Sequence, residues 1–147
     1  MSPLDRRRIL DPDTGLLLHE VIFPDRHNED SQNLLREDFS DPGEFLQGAI
    51  IDIPSNHSFQ AHIHLERERQ FENLRAQESW VVMSGLVEVD YYSESGKFLQ
   101  TLSLGPGDIS ISFRGGHGYR TLSSTARVYE FKSGPYEGQA IDKVFIP

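Results

Sequence analysis

The sequence predicts an all-β fold, and two observations support that prediction. Between Phe45 and Lys132, short apolar and β-branched runs alternate with turn signals rich in Gly, Pro, Ser and Asn, a spacing typical of sandwiches and barrels. One run, "ISISF" at 109–113, alternates strictly, so that its apolar residues share one face and its serines the other. The predicted strands in this region are FLQGAIIDI, SFQAHIHL, SWVVM, LVEVDYY, KFLQTLSL, DISISF and RVYEF.

The chain length of 147 residues predicts one domain, since this length suffices for a core of ordinary size. We expect an N-terminal extension over 1–44, a β core over 45–132 and an extended tail over 133–147. Within the extension, "LLLHEVIF" at 16–23 predicts a strand, and "SQNLLRED" at 31–38 predicts a short helical turn.

Composition excludes several classes of protein and site. There is no cysteine, so a metal site must use His, Asp or Glu, and disulfides are impossible. The net charge of −9 argues against nucleic acid or an anionic membrane as partner, and the run Arg6–Arg8 is interpreted as a solvated terminus. No apolar run reaches the ~20 residues of a spanning helix or resembles a signal peptide, so we expect a cytoplasmic protein.

His62 and His64 form a His-x-His pair in one of the predicted strands. Side chains at i and i+2 of a strand point to the same face, so two imidazoles there can bind one ion. Taken alone, the pair is more often a surface feature than a metal site. The other histidines, His19, His27 and His57, are interpreted as surface or structural residues.

Two further features change the interpretation of that pair. Glu78 opens an apolar strand that ends at Gly85 after six intervening residues. The segment "LGPGDISISFRGGHG" then gives a turn, an alternating strand, a Gly pair and His117. This order resembles the cupin family, which implies a double-stranded β-helix of the jelly-roll type. The resemblance implies that His62, His64, Glu78 and His117 bind one divalent transition metal (Fe, Mn, Ni, Co or Zn) inside the barrel.

The sequence departs from the family pattern in four places. Residues 65–77 separate His64 from Glu78 where the family has three or four residues. Asn56 replaces a Gly, a mild change because Asn also tolerates a left-handed turn. The Pro expected before His117 is missing, and Thr121 stands where the family often has Asn. Glu66, which shares a strand face with His64, remains an alternative to Glu78 as the carboxylate ligand.

The long segment after His64 supplies candidate substrate-binding residues. Arg67, Arg69 and Arg75 are either solvated loop charges or guanidinium groups that pair with a carboxylate or phosphate of a ligand. Tyr119 would share a strand face with His117 and is a candidate catalytic proton donor, with a packed aromatic as the plainer alternative. The tail "EFKSGPYEGQAIDKVFIP" resembles the ends of small cupins found among surface-polysaccharide or sugar-nucleotide genes.

Three functions are compatible with these residues. The first is a metal-dependent isomerase, lyase or dioxygenase acting on a small polar, carbohydrate-related molecule. The second is a metal-free, epimerase-like cupin with a His base and a Tyr acid. The third is a ligand-binding module without turnover. We also expect a homodimer in which the spare strand at 16–23 pairs across a twofold axis.

Overall fold

The computed structural model describes residues 5–24, 35–55, 57–65, 75–134, 140 and 143–147. These residues form ten strands in antiparallel sheets and no complete helix, so the all-β prediction is confirmed. No helix among them is long and apolar enough to cross a membrane. The chain divides into two compact units: unit 1 comprises 1–25 with 75–147, and unit 2 comprises 26–74.

Unit 1 contains eight of the strands in two sheets, and unit 2 contains one hairpin. The strands are β1 Asp5–Leu10, β2 Leu17–Phe23, β3 Leu35–Asp38, β4 Ala49–Asp52, β5 Glu78–Ser84, β6 Val87–Tyr92, β7 Phe98–Leu104, β8 Ile109–Ser112, β9 Gly116–Thr121 and β10 Arg127–Lys132.

The larger sheet of unit 1 has the strand order β1-β2-β8-β5-β10, with every neighbouring pair antiparallel. Its central strand β8 is buried along its whole length, as expected for a strand covered on both faces. β8 pairs with β2 through His19 and Ser112 and with β5 through Glu78 and Ser112. Three polar side chains therefore come together at one end of this sheet.

The smaller sheet of unit 1 has the order β7-β6-β9. Its central strand β6 alternates between buried and half-buried positions, with Val87, Val89 and Tyr91 directed into the core. These three side chains pack with Val21 and Val82 from the larger sheet, so the core lies between the two sheets. Fully burying each of these apolar side chains stabilises the fold by about 1.5–3 kcal/mol.

Unit 2 contains the antiparallel hairpin of β3 and β4. Phe39, just after β3, packs against the backbone of Gly48, where a Cβ atom would lie 2.2 Å from the Phe39 ring. Residues 57–65 of this unit are exposed and form no strand. Ile63 is 91% exposed, so this segment presents its apolar side chains to solvent.

Several predictions for individual elements were wrong. The strand predicted over 58–65 is absent from the described residues, because β propensity is expressed only where a neighbouring strand supplies pairing and cover. The helical turn predicted over 31–38 is a strand at Leu35–Asp38, where pairing with β4 outweighs local helix propensity. The basic run Arg6–Arg8, interpreted as a solvated terminus, lies in the paired strand β1, although Arg7 and Arg8 are exposed as that interpretation expects; Arg6 contacts Glu20 at 3.9 Å.

The strand predicted as spare is an interior strand. β2 is paired with β1 on one side and with β8 on the other, so its backbone hydrogen-bonding groups are already used within the chain. Pairing of this segment across a twofold axis is therefore wrong as a mechanism of dimerisation. The homodimer itself stays a prediction. The edges of the larger sheet are β1 and β10.

Candidate functional site

A cavity of about 560 Å³ opens in unit 1 beside the ends of β5, β8 and β9. Carboxylates, a histidine, aromatic rings and the C-terminal residues share its wall, so the cavity offers polar groups on an apolar base, as ligand pockets do. The residues that line it are Ala76, Glu78, Trp80, Tyr92, Ser112, Arg114, Gly115, Gly116, His117, Gly118, Tyr119, Glu130 and Lys143 to Ile146.

Glu78 and His117 are brought together in this cavity. Glu78 is the first residue of β5 in the larger sheet, and His117 is the second residue of β9 in the smaller sheet. Their side chains meet across the space between the sheets, with His117 Nε2 3.2 Å from Glu78 Oε1. The predicted association of these two residues is thus observed in the structure.

Electrostatics favour the ionised form of Glu78. Burial by itself raises the pKa of this carboxyl group, since a charge loses hydration inside a protein. The hydrogen bond and charge of His117 outweigh burial, with smaller contributions from Lys143 and Lys132, and the pKa lies below its ordinary value. Glu78 is therefore a carboxylate at neutral pH and can act as an acceptor or a metal ligand.

The second ring nitrogen of His117 has no partner in the part of the chain that the structure describes. Nδ1 is buried and has no hydrogen-bond partner among the described residues, although Nε2 contacts Glu78. An unpaired buried polar atom costs about 1–3 kcal/mol, so natural structures rarely retain one without a use. This atom indicates that the site is built for a further polar partner.

An aromatic stack forms another wall of the cavity. The rings of Trp80 and Tyr119 lie parallel, with centroids 3.7 Å apart, and the ring of His117 is 5.1 Å from that of Tyr119. Trp80 Nε1 donates a hydrogen bond of 3.0 Å to Glu130, which fixes the indole in place. Tyr119 was predicted as a site residue from the sequence, whereas Glu130 was missed, because its contact with Trp80 depends on the pairing of β5 with β10.

The Tyr119 hydroxyl retains its proton at neutral pH. Burial raises the pKa of Tyr119 well above its usual value, and the Ser110 hydroxyl acts on it too weakly to offset that effect. No hydrogen-bond partner of normal geometry meets this hydroxyl within the described part of the chain. The hydroxyl oxygen is itself buried, so the structure does not expose it to solvent.

His19 lies behind the cavity wall and was interpreted from sequence only as a surface or structural residue. The ring is fully buried, with Nδ1 2.9 Å from Ser112 Oγ and Nε2 3.1 Å from the Tyr92 carbonyl oxygen. Burial lowers the pKa of His19 to about 4, with a smaller opposing contribution from the Tyr92 carbonyl. His19 is thus a neutral support for Ser112 and Tyr92, both of which line the cavity.

The structure describes three of the remaining predicted site residues, His62, His64 and Arg75. His62 and His64, in unit 2, are exposed and have ring centroids 5.0 Å apart, and His62 Nδ1 is 3.0 Å from the Gln60 carbonyl oxygen. Arg75 is exposed and forms an ion pair with Glu94 in unit 1. The predicted residues that lie outside the described residues are Asn56, Glu66, Arg67 and Arg69.

The described residues do not complete a metal-binding cluster. Within the described ranges, no group of three or more His, Cys, Asp or Glu side chains is placed to hold a metal ion. Comparison with protein-family models, with curated proteins and with solved structures gave no match for this chain. The class of the protein therefore has to be argued from the residues of the site.

Proposed function

We propose that the protein is a cupin-type metal-dependent enzyme that acts on a small polar, carbohydrate-related molecule in the cavity of unit 1. In this proposal Glu78 and His117 are two ligands of a divalent transition metal, and the family resemblance adds His62 and His64. The observation that carries the proposal is the separation of 3.2 Å between Glu78 Oε1 and His117 Nε2 at the cavity wall. The two antiparallel sheets of unit 1 are compatible with the proposed double-stranded β-helix.

The two side chains fit a metal site in chemistry and in spacing. Imidazole nitrogen and carboxylate oxygen are ligands that Fe, Mn, Ni, Co and Zn accept. Two donors bound side by side to one octahedral ion, each at about 2.1 Å, lie about 3 Å apart, which matches the observed pair. When bound, such an ion supplies Lewis-acid or redox chemistry to a substrate oxygen.

The protein's own residues would bind and orient the substrate. The Trp80–Tyr119 stack offers an apolar surface on which the carbon face of a sugar-like ligand can lie. The Tyr119 hydroxyl, whose raised pKa keeps its proton in place, would donate a hydrogen bond to a ligand oxygen that reaches it. Glu130 holds Trp80 in position through the indole N–H.

A metal-free acid–base enzyme is the second candidate, and the direct contact between Glu78 and His117 favours it. A carboxylate that accepts a hydrogen bond from one imidazole N–H makes the other ring nitrogen a better base, and within the described residues Nδ1 of His117 is unpaired. Tyr119, whose ring is 5.1 Å from that of His117, would be the matching acid. This arrangement suits proton transfer at a carbon next to a carbonyl group.

Metal uptake separates the two candidates, and the single tryptophan provides the readout. Trp80 is the only tryptophan in the chain and lines the cavity, so a bound Co²⁺ or Ni²⁺ ion is expected to quench its fluorescence. We expect about one metal ion per chain by elemental analysis of the parent protein. Binding is expected to be lost in Glu78→Gln, His117→Ala and His62→Ala, and kept in the control His57→Ala, an exposed histidine of unit 2.

Retention of full metal binding by Glu78→Gln and His117→Ala, or no uptake of any of the five metals by the parent, would overturn the metal proposal. The metal-free candidate has its own test. Incubation with sugar nucleotides in D₂O should then give deuterium at a substrate carbon with the parent protein and none with His117→Gln. Circular dichroism of each variant checks that the fold is kept.

A further inference from the structure

The C-terminal residues form part of the cavity wall. Lys143, Val144, Phe145 and Ile146 all line the cavity that contains Glu78. Ile146 also lies against two glycines of unit 1, with its side chain 3.7 Å from the position of a Cβ atom on Gly96. The tail therefore belongs to the architecture of the site.

Gly116 makes the position of the tail possible. A Cβ atom at residue 116 would lie 2.4 Å from Ile146 Cδ1, a distance too short for two non-bonded carbon atoms. The requirement for glycine here comes from the space that Ile146 occupies, since Gly116 is not among the glycines with positive φ. Any larger residue at 116 must move the end of the flexible Ile146 side chain.

The tail brings a positive charge to the cavity. Lys143 and Arg114 are the lysine and arginine side chains that line it. The Arg114 guanidinium donates to the Leu17 carbonyl oxygen and is therefore committed to the protein. The Lys143 ammonium makes no hydrogen bond or close ion pair within the ranges that the structure describes, although its charge acts on Glu78.

We propose that Lys143 determines substrate specificity by binding an anionic group, a carboxylate or a phosphate, on the molecule that occupies the cavity. The inference rests on the proposed function only because both place the ligand in the same cavity, and it requires no metal. An ammonium group on a flexible stem binds such oxygens as a point charge, and its position at the tail would direct the uncharged part of the ligand toward Trp80 and His117.

The alternative role for Lys143 is to neutralise Glu78, and the two roles predict different results. If Lys143 only neutralises Glu78, replacing it changes the pKa of Glu78 but leaves the affinity for anions unchanged. If Lys143 binds substrate, replacing it lowers the affinity for anions and leaves Glu78 in place. The same substitution, Lys143→Gln, tests both, because Gln keeps a similar length and polarity without the charge.

The experiment titrates inorganic phosphate and, separately, acetate into the protein at constant ionic strength while Trp80 fluorescence is recorded. Three proteins are compared: the parent, Lys143→Gln and the control Lys97→Gln, an exposed lysine in the turn before β7. We expect saturable binding in the parent, at least tenfold weaker binding in Lys143→Gln, and parent-like binding in Lys97→Gln. A response to phosphate alone assigns a phosphate ester, and a response to acetate alone assigns a carboxylic acid.

Equal anion binding by the parent and Lys143→Gln, or no saturable binding of either anion by the parent, overturns the inference. Metal content, measured on the same samples, keeps this outcome distinct from the proposed function. A Lys143-dependent anion site in a protein that takes up no metal would retain the inference and reject the metal. A metal-loaded protein that binds anions equally with and without Lys143 would retain the metal proposal and reject the inference.

Discussion

Acidification is expected to destabilise the protein through the buried His19. In the folded state its neutral ring is fully satisfied: the Tyr92 carbonyl oxygen can only accept, so Nε2 carries the proton, and the Ser112 hydroxyl donates to Nδ1. The ring of Tyr91 lies 4.9 Å away, and the charge of His117 further opposes protonation. A proton added to His19 therefore meets two ring contacts that already suit the neutral form, and the Tyr92 carbonyl offsets only part of the loss of hydration.

The size of the effect follows from the pKa of His19. Burial lowers that pKa from 6.5 to about 4, so between these pH values the unfolded chain binds a proton that the folded chain does not bind. The stability contributed by the neutral ring is present above pH 6.5 and is lost as the pH falls toward 4. At 1.36 kcal/mol per pH unit, the loss amounts to about 3 kcal/mol, a large share of the stability of a small domain.

Urea denaturation at pH 7, 6, 5 and 4 measures this loss. The free energy of unfolding is compared between the parent and His19→Gln, both in EDTA so that metal binding adds no pH dependence. Carboxylates also titrate below pH 5, but they are common to both proteins and cancel in the difference. We expect the parent to lose about 3 kcal/mol more than the variant over this range. Parallel pH profiles for the two proteins would refute the reasoning, as would a measured pKa of His19 near 6.5.

Two further predictions concern stability alone. Gly85→Ala should destabilise the fold by about 3 kcal/mol in the same urea assay, because residue 85 has a φ of 81° and a Cβ atom would lie 2.3 Å from the Thr125 carbonyl oxygen. Gly107→Ala should cost only about 1 kcal/mol, because residue 107 has a φ of 92° but open space around it. Equal losses for the two would contradict this. Tyr91→Phe removes the 2.7 Å hydrogen bond to the Ser110 hydroxyl and should cost about 1–3 kcal/mol in thermal unfolding, and a variant as stable as the parent would show that this buried bond contributes nothing.

Sequence patterns identified the strands whose own residues favour β structure. β5, β6 and β8 were predicted because apolar and β-branched residues fill them, and turns with Gly bound them. β1 was missed because three arginines dominate it, and only its pairing with β2 makes it a strand. β9 was not predicted outright because its Gly-rich sequence has low β propensity, so its structure depends on its pairing with β6.

The candidate site could be predicted only in part. Glu78 and His117 were named because their spacing follows a pattern, and the structure places them together. Lys143 could not be named, since it is one of several lysines and its role depends on where the tail lies. His19 gave no signal either, because a histidine beside apolar residues looks the same whether its ring is buried or exposed.

The basic edge of the larger sheet restricts how this protein can associate. A sheet with two free edges can add copies at both ends without limit, as fibres do. Here one edge, among the described strands, is β1, which carries Arg6, Arg7 and Arg8 in succession. A second copy aligned there would bring like charges together. Pairing of β1 with β1 of a second copy is therefore disfavoured by charge.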